Sequence, residues 1–345
     1  MYTKQQLFDL FKRIYADKDL LIVGEEMINS PTMVTDTLER FKKDSGKYPG
    51  ILGLDIRKSN LFNLGKEGID NVIKELTEYA EKGGIVTCSA HMANPKNKNP
   101  DIEDYRGHLG FDDEWKELVT EGTELNKYFK MELEAIADFL EALKNNNVPV
   151  IWRPLHETNG NWFWFCMMQT DPETGEMRPI KEESFIAAWR YIYNYFTAER
   201  KLDNLLWEFS PNISADDNPN LVRALYGYPG DMCDLVGFDW YSCGYYEIGC
   251  TSTYKDLAST GKPVAFAEWG PNGNIRANRD NGKAQSELFS CEDLLELIKR
   301  MRGDGYSATY LLTWTSPITI REMTKGDVLM NADGILGLEE VSAMF

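Results

Sequence analysis

Eight short apolar runs recur along the chain at roughly regular intervals: Leu20–Glu25, Ile51–Ile56, Ile85–His91, Val148–His156, Leu205–Pro211, Leu235–Tyr241, Pro263–Trp269 and Tyr310–Thr315. Each is continuous in its hydrophobicity, without an alternation of polar positions, as in parallel strands covered on their outer face by helices. Between most of them lie longer stretches whose apolar residues recur at three and four, clearest over Lys66–Lys82, Glu124–Lys144, Lys181–Arg200 and Cys291–Met301. Gly83-Gly84, Gly261-Lys-Pro263 and Gly303-Asp-Gly305 stand just before strands, where helix ends and tight turns want glycine or proline. No linker or composition shift divides the chain. The pattern predicts one domain over residues 1–345, an α/β fold of the (β/α)8 TIM-barrel type. An open dinucleotide-binding sheet would want G-x-G-x-x-G after its first strand, and Val23-Gly24-Glu25-Glu26 does not supply it.

A barrel places its chemistry at the C-terminal ends of the strands. Read in order, those ends carry Glu25, Asp55 and Arg57, His91, His156 and Glu157, Ser210 and Asn212, Asp239 and Tyr241, Glu268 and Trp269, and Trp314. The opposite ends carry lysine, glycine, asparagine and proline. Packing alone does not account for so one-sided a distribution of polar and aromatic residues.

Within that rim, Ile151 to Phe165 concentrates the chemistry. Where its strand gives out stand His156 and Glu157, followed by the turn dipeptide Asn159-Gly160 and the indoles of Trp162 and Trp164. Glu268 ends the seventh strand, far enough around the barrel to face Glu157 across the mouth. Two such carboxyls suit glycoside hydrolysis, in which one is protonated to donate to the leaving oxygen and one is ionised to attack. Burial against indole raises a carboxyl pKa, so Glu157 is the better acid/base and Glu268 the better nucleophile. In a retaining mechanism the pair should stand about 5–5.5 Å apart. Arg57 and Arg153 both reach toward the carboxylates from inside, with Arg153 expected as structural support because a buried arginine must be paired.

Charge narrows the partners. With 55 acidic against 37 basic residues the formal charge is −18, which argues against nucleic acid or an anionic membrane. Nine tryptophans and seventeen tyrosines offer stacking surfaces for a neutral ligand. The six cysteines form no C-x-x-C pair and are expected mostly reduced. No window approaches a membrane span, and Met1 to Lys18 lacks the apolar core of a signal peptide. The expected location is cytoplasmic if Met1 is the native start, and secreted if a leader once preceded it.

Several segments together resemble one known family. Arg153-Pro-Leu-His-Glu157 with Asn159-Gly160 and Trp162-Phe-Trp164 resembles the acid/base motif of family 26 glycoside hydrolases, best known as β-mannanases. Thr87 to Pro95 is similar to that family's third-strand segment, Tyr228-Pro-Gly-Asp231 with Asp234 to Tyr241 to its sixth, and Gly261 to Gly270 to its nucleophile strand. In the wider clan of retaining barrel glycosidases an asparagine usually precedes the acid/base; His156 stands there here, as in family 26. The resemblance implies a retaining endo-β-1,4-mannanase that needs no cofactor or metal, with a β-mannan or related β-glycan as its partner. It implies Glu157 as acid/base and Glu268 as nucleophile. His91, His156, Trp162, Asp239 and Tyr241 would line the −1 subsite, Tyr241 would hold the nucleophile, and Trp314 would be the platform under the reacting sugar. Trp115 is a further candidate for a neighbouring subsite, against a reading as a partly buried loop anchor. One departure stands out: many relatives follow the strand-eight tryptophan with an arginine, where this chain has Thr315-Ser316.

Mixed-linkage β-glucanase and β-1,3-xylanase are alternatives within the family. From other classes stand a metal-dependent barrel hydrolase using His91 and His156, and a carbohydrate-binding barrel without catalysis. The first lacks the usual H-x-H pair, and the second would have no use for both glutamates.

Overall fold

The computed structural model describes residues 1–27, 32–57, 61–98, 104–213, 220–241, 252–270, 290–314, 319–321 and 323–345. Every apolar run contains a strand: β1 (Leu21–Glu26), β2 (Ile51–Asp55), β3 (Ile85–Ser89), β4 (Val150–Arg153), β7 (Leu205–Phe209), β8 (Leu235–Tyr241), β9 (Val264–Gly270) and β10 (Tyr310–Thr313). These eight pair in chain order, all parallel, and β10 returns to β1 to close a barrel. A short β11 (Ile335–Leu336) adds to the start of β1. The segment Met167–Pro179, which carries no strand signal in the sequence, is a hairpin of β5 (Met168–Thr170) and β6 (Met177–Pro179). Three-residue strands flanking a turn leave too little pattern to be seen.

Amphipathic helices cover the barrel: α1 (Lys4–Ala16), α2 (Met33–Ser45), α3 (Gly65–Glu81), α4 (Asp112–Leu118), α5 (Glu124–Asn145), α6 (Glu182–Asn194), α7 (Ser252–Ser259) and α8 (Cys291–Gly303). The periodic stretch Lys181–Arg200 is α6 continued by a wider π turn over Tyr195–Glu199. Among the described residues, no helix is long and apolar enough to cross a membrane. Cys88, Cys166, Cys233 and Cys291 are free and buried, while Cys243, Cys250 and Thr315-Ser316 lie outside the described residues.

Side chains alternate across a strand, so a barrel strand needs apolar residues on both faces at its base. Ile22, Ile51, Ile85, Ile151, Leu206, Leu235, Ala265 and Tyr310, one from each barrel strand, gather in an inner cluster. Their neighbours, such as Leu21, Val86, Trp152 and Trp207, belong to a separate outer cluster shared with the helices. The inner cluster would be open to water at the N-terminal end of the barrel. Helix α1 closes it, laying Leu7, Leu10, Phe11 and Ile14 against that layer after a Thr3/Gln6 capping box.

Phe11 is fully buried and its ring packs 6.1 Å from that of Tyr310. Phe11→Ala should therefore cost about 3–5 kcal/mol of unfolding free energy, measured by denaturant titration. A loss below about 1 kcal/mol would show that the barrel base does not depend on this plug.

Candidate active site

Above the inner apolar layer the inward positions turn polar. Arg153 follows Ile151, Glu208 follows Leu206, and Asp55 and Glu26 end their strands, all nearly or fully buried. Two glycines make room: a Cβ on Gly53 would lie 2.0 Å from Glu26 Oε2, and one on Gly237 would lie 2.1 Å from Glu208 Oε1.

Strict alternation in β9 would send Glu268 outward, since Ala265 faces in. A bulge prevents this. Phe238 pairs with Phe266 but Asp239 pairs with Glu268, and on the other side Leu311 to Thr313 span Phe266 to Trp269. Ala267 is the extra residue, and it turns Glu268 into the barrel while Trp269 joins the outer cluster. Bulges beside sites commonly re-aim a side chain in this way.

Glu268 is then bonded on both oxygens: Arg153 donates to Oε1 at 3.1 Å and the Tyr241 hydroxyl donates to Oε2 at 2.6 Å. The same guanidinium nitrogen donates to Asp239 Oδ1 at 2.8 Å and approaches Ser210 Oγ at 3.1 Å, and Ser210 donates to Asp239 at 2.8 Å. Burial holds Tyr241 well above the usual tyrosine range, with the Glu268 charge adding to it, so the phenol keeps its proton. Burial also raises Asp239, against the pull of Arg153 and with the push of Glu268 and Glu157. Beneath lies Glu208, which burial pushes up to about 7 and which accepts from Tyr310 at 2.7 Å.

Glu157 comes from the turn after β4, where Leu155 and Glu157 take φ of 50° and 55°. Left-handed backbone at a non-glycine residue stores strain, held here by hydrogen bonds. Its N–H donates to Ser210 O at 2.7 Å, and its carbonyl accepts from Gly160 at 3.0 Å. Asn212 donates to its Oε1 at 2.8 Å, and Trp162 Nε1 donates to Oε2. Asn159 accepts from the Asn212 N–H at 2.7 Å and donates to its carbonyl at 2.8 Å, fixing that donor. Burial first and the Glu268 charge second push Glu157 up to about 7, against its hydrogen bonds from Asn212 and Trp162. One oxygen from each of Glu157, Asp239 and Glu268 lies within 4.8 Å of the other two. Among the described residues these three carboxyls alone cluster closely enough to gather a cation, and Arg153 already supplies positive charge to two of them.

His91 and His156 stand at one wall. Their Nε2 atoms are 3.3 Å apart, and His91 Nδ1 lies 2.8 Å from Asp55 Oδ2. Tyr105 and Phe163 meet the His91 ring edge-on at 4.8 Å, and Trp314, partly exposed at the end of β10, lies 6.1 Å away. Burial, then the positive charge of His91, Arg153 and Arg57, holds His156 well below the usual histidine range.

Of the residues singled out from sequence, Glu157, Glu268, Asp239, Tyr241, Trp162, His91, His156 and Trp314 thus converge on one mouth. Trp115 does not. It sits on α4, is 1% exposed, donates to Gly110 O and packs on Phe185, so it is a core anchor with no face for a ligand. Trp164 is likewise fully buried, with its indole N–H on Met92 O, and does not wall Glu157. Glu25 faces outward to an ion pair with Arg321, and its neighbour Glu26 turns into the barrel. Tyr105 and Asn159 escaped the sequence reading: one follows no strand, and the other resembled a mere turn residue.

The model of the family described as glycosyl hydrolase family 26 matches residues 1–291. A mannan endo-1,4-beta-mannosidase of Bacillus subtilis is 32% identical over 283 residues, 81% of this chain and 70% of that protein. A mannan endo-1,4-beta-mannosidase A and B of Caldalkalibacillus mannanilyticus is 34% identical over 238 residues, 68% of this chain; the match spans only 44% of that longer protein. Among solved structures, a Bacillus subtilis mannanase superposes with a TM-score of 0.75 at 24% identity, covering 98% of this chain and 92% of its own.

A carboxyl raised to about 7 binds its proton more tightly in the folded than the unfolded state, so between its ordinary value and 7 it costs stability as pH rises. Glu157→Gln should melt with a gap in its favour that opens between about pH 5 and 8 and is absent at pH 4. Parallel melting curves of the two proteins across that range would contradict the assignment.

Proposed function

The chain belongs to glycosyl hydrolase family 26, and on that premise we propose that it is a retaining endo-β-1,4-mannanase cleaving mannan or manno-oligosaccharides. Residues 1–345 act as a single catalytic domain. Glu157, protonated, donates to the glycosidic oxygen while ionised Glu268 attacks the anomeric carbon, giving a glycosyl-enzyme. Glu157, now a base, takes a proton from water as that water displaces Glu268.

One observation carries this reading. The nearest oxygens of Glu157 and Glu268 lie within 4.8 Å of each other, which fits two carboxyls acting on one anomeric carbon at close range, as a retaining pair does. The environments of the two also favour different roles. Glu157 keeps its proton to about 7, whereas Glu268 receives hydrogen bonds from a guanidinium and a phenol that stabilise its anion. Around them His91, His156, Trp162, Asp239 and Tyr241 would contact the −1 sugar, with Trp314 as the stacking face. Mannan as the polymer rests on the relatives named mannan endo-1,4-beta-mannosidases.

Incubation with mannan, mixed-linkage glucan and xylan should release reducing ends from mannan. Release from another glycan with none from mannan would overturn the specificity. The alkaline limb of kcat/KM should fall as pH rises through about 7, as Glu157 loses its proton. Glu157→Ala should lose about 10²–10⁴-fold on polysaccharide yet be largely spared on aryl glycosides with activated leaving groups, which need no proton. Equal losses on both substrates would exclude Glu157 as the acid.

A further inference from the structure

Asp55, which the reaction above does not use, ends a chain of side chains leading to the candidate sugar site. Its Oδ1 accepts the His91 backbone N–H at 3.1 Å, and its Oδ2 meets both His91 Nδ1 at 2.8 Å and Arg57 Nε at 3.0 Å. His91 Nε2 then faces His156 Nε2 at 3.3 Å. His156 is 1% exposed, and its remaining nitrogen, Nδ1, is buried with no hydrogen-bond partner among the described residues. A buried imidazole nitrogen without a partner is costly unless a ligand or water completes it.

Two ring nitrogens at hydrogen-bond distance can hold only one hydrogen between them. Burial works against ionisation of Asp55, but His91 and Arg57 hold its carboxyl below the usual range. As an anion it accepts only, so His91 Nδ1 must carry hydrogen. Two arrangements remain. With His91 neutral, its Nε2 accepts from His156 Nε2–H, and His156 Nδ1 is a bare acceptor. With one more proton on His91, its Nε2–H donates to His156 Nε2, and the hydrogen of neutral His156 must sit on Nδ1. The difference is one proton on His91, yet the free edge of His156 changes from acceptor to donor.

We infer that Asp55 is a positioning residue: by holding hydrogen on His91 Nδ1 it decides, through His91, whether His156 Nδ1 accepts from or donates to a hydroxyl of the bound sugar. The role toward a sugar rests on the glycosidase reading; the coupling of the two tautomers does not. The groups that bear on the pair are Asp55 and Arg57 at the β2 end, Tyr105 over His91, Arg153 inside β4 and Glu157 beside His156. Burial first, then the charges of His91, Arg153 and Arg57, disfavour ionisation of His156, so a proton added to the pair is held on the Asp55 side of it.

The chain has three histidines, so a protein labelled with ¹⁵N in its histidine rings gives six resonances, and His108→Gln removes two of them. As pH is lowered and the paired rings take up one proton, His156 Nδ1 should move from the bare-nitrogen to the N–H region while its Nε2 moves the other way. Asp55→Asn, whose amide can donate to His91 Nδ1, should release that nitrogen and leave Nδ1–H on His156 across the range. On manno-oligosaccharide this variant should lose about tenfold or more in kcat/KM, as for one mis-sensed hydrogen bond, with a flattened acid limb. A His156 tautomer that stays fixed while the pair takes up a proton would overturn the inference. So would an Asp55→Asn activity loss with unchanged ring nitrogens, which marks a purely structural role. If no glycan is cleaved while the coupled titration is seen, it is the glycanase reading that fails.

Discussion

A guanidinium in the middle of a barrel is the constraint on which the rest of this structure depends. Arg153 is 1% exposed and cannot lose its charge, so anions must be brought to it. Asp239 and Glu268 supply them from neighbouring strands, Ser210 meets the same nitrogen, and Glu208 lies below. Burial first, and then the charge that Glu268 keeps beside the arginine, raises the third carboxyl, Glu157, across the mouth. The arginine that stabilises one glutamate as an anion thereby helps keep the other a proton donor.

Such an arrangement costs stability, and the cost is visible locally. Glu157 and its near neighbour Leu155 take left-handed backbone, Glu157 is desolvated, and the atoms Asp239 Oδ2 and Glu208 Oε1 have no partner among the described residues. The apolar half of the barrel offsets this. One inward hydrophobic residue per strand and the four from α1 form a dry base, so the strained and charged upper half stands on a packed lower half.

The barrel was legible because its parallel strands are apolar throughout and its helices amphipathic, and both patterns survive in a single sequence. The strand ends were legible too, since residues such as Asp239 and Glu268 have no packing reason to follow Val-Gly-Phe or Ala-Phe-Ala. Sidedness was not. From composition Glu25 and Glu26 are equivalent, and only the facing of Gly24 and Gly53 shows that Glu26 points inward. Aromatics misled for the same reason: Trp115, Trp162 and Trp164 look alike in sequence, yet only Trp162 keeps its indole N–H for Glu157, the others spending theirs on backbone carbonyls. The β5–β6 hairpin was hidden by its shortness.

The Ala267 bulge has a meaning beyond geometry. A β-strand is read in two phases, and the extra residue acts as a frameshift late in β9: Val264, Ala265 and Phe266 are read in one phase, Glu268 and Trp269 in the other. A substitution at Ala267 changes one side chain. A deletion there returns β9 to strict alternation, with Phe266 outward and Glu268 still inward opposite Asp239. Straightening the bulge with Ala267 retained would instead exchange Glu268 with Trp269 between the barrel interior and the outer core. The sidedness of Glu268 is therefore held by its pairing with Asp239, and Ala267 is the residue the strand loops out to keep that pairing.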